Sequence, residues 1–87
     1  MDTQATNTTK KVEIFSTPTC HFCHAAKDWL GAKSIPFEDY NVAENMDKRK
    51  EMLEITGQLG VPVIRIGEEI MVGFNPEQLA KILGVAE

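Results

Sequence analysis

The apolar residues of this chain switch between strand spacing and helix spacing, and the order of the switches leaves few folds open. Val12 to Ser16 reads as a buried strand, β-branched and aromatic, bounded by Lys10-Lys11 and Thr17-Pro18. Phe22, Ala25, Ala26, Trp29 and Leu30 then fall at helical spacing and predict one apolar stripe. Gly31 and Lys33-Ser34-Ile35-Pro36 end that helix. Phe37 to Val42 is a second strand. Asn45 to Thr56 is charged and helix-prone, with Met46, Met52, Leu53 and Ile55 as its apolar residues and Gly57 as its stop. Val61 to Ile66 is a third strand, Gly67-Glu68 a tight turn, and Glu69 to Val72 a fourth strand. Pro76 to Leu83 is a last short helix, with Asn75 as N-cap and Leu79, Ile82 and Leu83 facing inward.

The order is therefore β-α-β-α-β-β-α. Strands joined through a helix pair in parallel with a right-handed crossover, and strands joined by a two-residue turn pair antiparallel. An α/β arrangement with a mixed four-stranded sheet and three flanking helices fits a chain of 87 residues. One domain is expected over residues 11–87, preceded by a mobile tail at 1–10. Neither a repeat nor a linker interrupts it.

The charge pattern removes several function classes. Net charge is −4 and no segment carries a basic stripe, so nucleic acid is not an expected partner. The longest apolar stretch is far short of a membrane span. The N-terminal residues lack the basic-then-apolar layout of a signal peptide, so a cytoplasmic location is expected. The chain is expected to be a monomer. In that compartment two cysteines are reactive more often than structural.

Those two cysteines, Cys20 and Cys23, stand in Thr19-Cys20-His21-Phe22-Cys23-His24, at the junction of the first strand and the first helix. A C-x-x-C there is a dithiol redox site. The helix N-terminus turns unpaired N–H groups and the positive end of its dipole toward the first sulfur, which favours the thiolate, the nucleophile of disulfide exchange. Two rivals use the same residues. Cys20-x-x-Cys23-His24 has the form of a c-type haem attachment site, but the chain lacks the export signal that haem attachment needs. Two Cys and two His could also ligate zinc, but all four fall within five residues and no second ligand pair follows.

Three motifs in order carry a family resemblance: the C-x-x-C after the first strand, Gly60-Val61-Pro62-Val63 opening the third, and Gly73-Phe74 after the fourth. From Lys11 to Leu83 the chain resembles the glutaredoxin family of the thioredoxin fold. The resemblance implies a cis Val61–Pro62 bond, which turns Val61 toward the cysteines to pair with an extended substrate. It also implies a groove bounded by Cys20, Phe22, Val61 and Gly73. Gln58 matches a position that can contact the glycine carboxylate of glutathione.

Three residues depart from the glutathione-binding pattern. Phe74 replaces a second glycine, Thr17 stands where a lysine is frequent, and Gly60 stands where a threonine is common. The Gly73-Phe74 corner is similar to the NrdH-type redoxins, although their Cys-Val-Gln-Cys is absent. The implied function is reduction of disulfide-containing proteins through Cys20 and Cys23 by an electron carrier of cell redox homeostasis. It has no cofactor of its own and is recharged by thioredoxin reductase or glutathione. The alternatives are a glutathione-dependent glutaredoxin acting on glutathione mixed disulfides, and a metal or iron–sulfur carrier on the same fold. His21 is expected to face solvent, and His24 either to lie near the Cys20 sulfur or to cover the helix. Trp29 is expected in the core. Phe74 is either a docking point or a core aromatic under the last helix.

Overall fold

The structure, a computed structural model, describes residues 11–85. The expected tail at 1–10 lies outside those residues. The elements run β1 (Val12–Ser16), α1 (His21–Ala32), β2 (Glu38–Asn41), α2 (Met46–Thr56), β3 (Val63–Ile66), β4 (Glu69–Val72) and α3 (Pro76–Leu83). All seven match the order read from the sequence. The sheet order is β2-β1-β3-β4, with β1 parallel to β2 and the other two pairings antiparallel. β3 begins at Val63 rather than Val61, because Pro62 has no N–H to give the ladder.

β1 is central and all five of its residues are buried. Its alternation divides the core. Val12 and Ile14 face Ala26, Leu30, Leu79 and Leu83 of α1 and α3. Phe15 faces the other way, toward Met52 of α2, Val42 and Val63. Glu13 points to the α2 side as well and is only 7% exposed. A buried carboxylate must be paired. Arg65 Nε donates to Glu13 Oε1 at 2.7 Å, Tyr40 Oη donates to Oε2 at 2.7 Å, and Arg65 Nη2 reaches Glu51 at 2.7 Å. This network joins β1, β2, β3 and α2. The Arg65 hydrogen bond is the main reason the Glu13 carboxyl is pulled down to about 2.

Two helical stripes differ from expectation. In α1 the buried residues are Cys23, Ala26 and Leu30, while Phe22 and Ala25 are exposed. The inward face is rotated because Cys23 is itself a core residue. In α2 only Met52 is fully buried, and Met46 and Leu53 are exposed. One side of α2 packs on the sheet, through Met52 and the half-buried Ile55. In α3, Leu79 and Leu83 are buried as expected and Ile82 is half-buried against the same core. Among the described residues no helix is long and apolar enough to cross a membrane.

Candidate active site

The strand registers place the three motifs at one end of the sheet. Phe15 pairs with Val63, and Val63 with Val72. The chain therefore leaves β1, enters β3 and leaves β4 at the same end. Thr17–Cys20, Val61-Pro62 and Gly73-Phe74 all belong to those connections.

Cys20 is the N-cap of α1, with an extended backbone at φ −88° and ψ 113°. Its Sγ accepts the N–H of Cys23 at 3.1 Å, the place a serine or asparagine oxygen takes in an ordinary cap. A negative sulfur there meets a helix N-terminus and a directed N–H donor. Cys20 is partly exposed and Cys23 fully buried, and both thiols are free. Burial, and then the hydrogen bond and charge of Cys20, push the Cys23 thiol up to about 12. The pair is thus asymmetric, with one accessible sulfur at the helix cap and one buried sulfur holding its proton.

His24 is exposed on the surface of α1, one of its two expected places. Its Nε2 donates to the Pro18 carbonyl at 2.7 Å, tying the first turn of α1 to the loop before Cys20. His21 is exposed, as expected, and so is Phe22, at 66%. Among the described residues no group of three or more His, Cys, Asp and Glu side chains is placed to hold a metal ion.

The Val61–Pro62 bond is cis, as the resemblance implies. The Pro62 carbonyl accepts the Gly73 N–H at 2.8 Å, which binds the start of β3 to the end of β4. Gly73 has φ +92°, a conformation that side-chain-bearing residues rarely adopt. Among the described residues nothing hydrogen-bonds to the N–H or C=O of Val61. Phe74 is half-buried and packs edge-on against Trp29, ring centroids 6.5 Å apart, at the margin of the α1/α3 core. Trp29 is half-buried against that core too.

Gln58 is turned into its own loop. Its Oε1 accepts the Gly60 N–H at 2.6 Å and its Nε2 donates to the Gly60 carbonyl at 3.3 Å. Sequence reasoning missed this contact, the His24–Pro18 bond and the Glu13 network. Only the last had a signal in the sequence, a lone carboxylate within a buried strand.

The glutaredoxin family model matches residues 12–71, which contain the cysteine pair, the cis-proline and all four strands but the last residue. The chain belongs to the glutaredoxin family. It is 46% identical over 72 residues to a glutaredoxin-like 8.6 kDa protein in the rubredoxin operon of Clostridium pasteurianum, covering 83% of this chain and 96% of that one. It is 37% identical over 64 residues to glutaredoxin 3 of Escherichia coli K12, covering 74% and 77%. Among solved structures it superposes on the glutaredoxin-like NrdH-redoxin of Escherichia coli with a TM-score of 0.73 at 26% identity, covering 83% and 93%. That structure was described as the basis of a thioredoxin-like activity profile. The fold is the thioredoxin fold, and this glutaredoxin-like chain is a thiol–disulfide redox protein of the glutaredoxin and NrdH-redoxin type.

Proposed function

We propose that the protein reduces disulfides of other proteins by dithiol exchange, as a cytoplasmic monomer with no cofactor of its own. The Cys20 thiolate attacks one substrate sulfur. A Cys20–substrate disulfide forms, and the other substrate sulfur leaves as a thiolate. Cys23 then gives up its proton and attacks the Cys20 sulfur, expelling the second substrate thiolate. The substrate gains two electrons and two protons, one proton from Cys23 and one from water, and Cys20–Cys23 is left as a disulfide. The observation that carries this reading is the Cys23 N–H···Sγ Cys20 contact at 3.1 Å beside a fully buried second thiol. Val61 offers an N–H and a C=O to which an extended substrate segment can add as a strand.

Cys20→Ser is expected to abolish exchange, because Cys23 alone is buried and protonated. Cys23→Ser is expected to trap a mixed disulfide with the substrate. Equal residual activity in the two variants would overturn the assignment of roles.

For the donor, we propose thioredoxin reductase over glutathione. Thr17 supplies no cation and Phe74 replaces a small residue at the corner after β4. The Gln58 amide is engaged with Gly60 and not presented to a ligand. Each missing charge-assisted hydrogen bond costs about 1.5–3 kcal/mol of affinity. Oxidised protein offered NADPH with thioredoxin reductase is expected to turn over faster than with glutathione and its reductase. Efficient reduction by glutathione with none by thioredoxin reductase would reverse the choice.

A further inference from the structure

The loop between α2 and the cis peptide is braced by side chains at every second residue. The Thr56 hydroxyl accepts the Gln58 N–H at 3.2 Å and lies 2.8 Å from the Gln58 carbonyl, while also reaching the Met52 carbonyl at 2.7 Å. The Gln58 amide then closes on both polar groups of Gly60. The next residue is Val61, whose own N–H and C=O are unpaired among the described residues. After it, Pro62 is held from the far side by the Gly73 N–H. The segment that presents Val61 is therefore fixed at both ends, and on the α2 side the fixing is done by side chains.

Gly60 is the condition for this arrangement. A Cβ at position 60 would lie 2.6 Å from Gln58 Oε1, closer than real contacts allow. The atom it meets is the far end of a flexible side chain, so the amide would swing away and the backbone would stay. The glycine at 60 and the glutamine at 58 thus form one device.

We infer that Gln58 is a positioning residue for the Val61 edge and not a ligand of the substrate, and that Gly60 exists to admit its amide. The inference rests on the dithiol exchange proposed above. It makes the pair a specificity determinant. With Gln58 folded inward, recognition falls on the backbone of Val61, which accepts any extended segment. With the amide released, position 58 becomes a donor free to meet a carboxylate.

The test uses two disulfides of one peptide, an intramolecular disulfide free of glutathione and the mixed disulfide with glutathione. Gln58→Ala deletes the clasp and Gly60→Ala displaces it. Each is expected to raise KM for the glutathione-free disulfide about fivefold while kcat stays within about twofold. The double variant is expected to be no worse than either single one, because both remove the same interaction. Gln58→Glu keeps the acceptor for the Gly60 N–H and is expected to recover most of the loss. If Gln58→Ala instead leaves the glutathione-free substrate unaffected and impairs only the mixed disulfide, Gln58 touches glutathione and the inference is wrong. Should the unmodified protein reduce neither disulfide, the exchange reading fails separately. Hydrogen exchange then judges the clasp. The Gly60 amide is expected to exchange about tenfold more slowly in the unmodified protein than in Gln58→Ala, and equal rates would overturn it.

Discussion

The two sulfurs differ because the backbone treats them differently. Cys20 occupies a cap, where an acceptor is wanted, and Cys23 occupies the buried face of α1. The thiol of Cys23 is pushed up to about 12, chiefly by burial, so at neutral pH it stays protonated. One equivalent of iodoacetamide is therefore expected to enter the reduced protein at pH 7.5, at Cys20. The second is expected only after unfolding, and mass spectrometry before and after urea reads the difference. Equal labelling of both cysteines in the folded protein would contradict the asymmetry. The same shift has a consequence for stability. Above an ordinary thiol value of 9.0 the unfolded chain releases the Cys23 proton while the folded chain keeps it. Stability is then lost as pH rises from about 9 toward 12. Cys23→Ala is expected to flatten that alkaline slope in urea titrations.

At the scale of elements, the Glu13 network clamps a short edge strand. β2 is four residues long, and its hold on β1 is reinforced on both faces. Tyr40 and Arg65 meet Glu13 on the α2 side, while Ser16 Oγ donates to Asp39 at 2.6 Å and Lys27 pairs with Asp39 at 2.9 Å on the α1 side. Glu13 falls from 4.5 to about 2 in the fold, so its contribution is complete above pH 4.5 and fades as pH drops through that window. The drop is worth about 3 kcal/mol. Glu13→Gln is expected to lose about 2–3 kcal/mol at pH 7 and to unfold with a shallower acid limb in urea titrations between pH 5 and 2. An unchanged midpoint would show that the network contributes little. Such elements were legible from the sequence where a residue has one local job. Gly57, Asn75 and Pro76 mark ends of α2 and α3 because capping is a property of the nearest few residues. The cysteine pair was legible for the same reason. The rotated stripe of α1 was not, since a cysteine assigned to chemistry proves to be core. Nor were the partners of Glu13 and Gln58, which depend on how strands align or on how a loop folds back on itself.

At the scale of the molecule, the sheet has a working end and an idle one. The registers put Val12 opposite Ile66 and Ile66 opposite Glu69, so the Gly67-Glu68 turn lies at the end away from Val63 and Phe15. Gly67 has φ +61° and donates its N–H to the Lys11 carbonyl at 3.0 Å, so this end is closed by a hairpin turn without reference to the cysteines. At the opposite end every connection is constrained. Thr17–Cys20 is tied by His24, Gly57–Val61 by Gln58, and Gly73 by Pro62. Exposed turn tips accept insertions because lengthening a loop adds little closure entropy, about 0.6 kcal/mol per doubling. Four Gly-Ser residues inserted between Gly67 and Glu68 are therefore expected to leave the exchange rate within about twofold of the unmodified protein and cost about 1 kcal/mol of stability. The same four residues inserted between Leu59 and Gly60 would separate the Gln58 amide from its partner and free the Val61 edge. They are expected to depress exchange at least about tenfold while the far-ultraviolet spectrum stays native-like. Rates measured with one peptide disulfide for both insertions, alongside urea midpoints, decide the matter. Equal sensitivity at the two ends would mean that the three motifs do not work as one site.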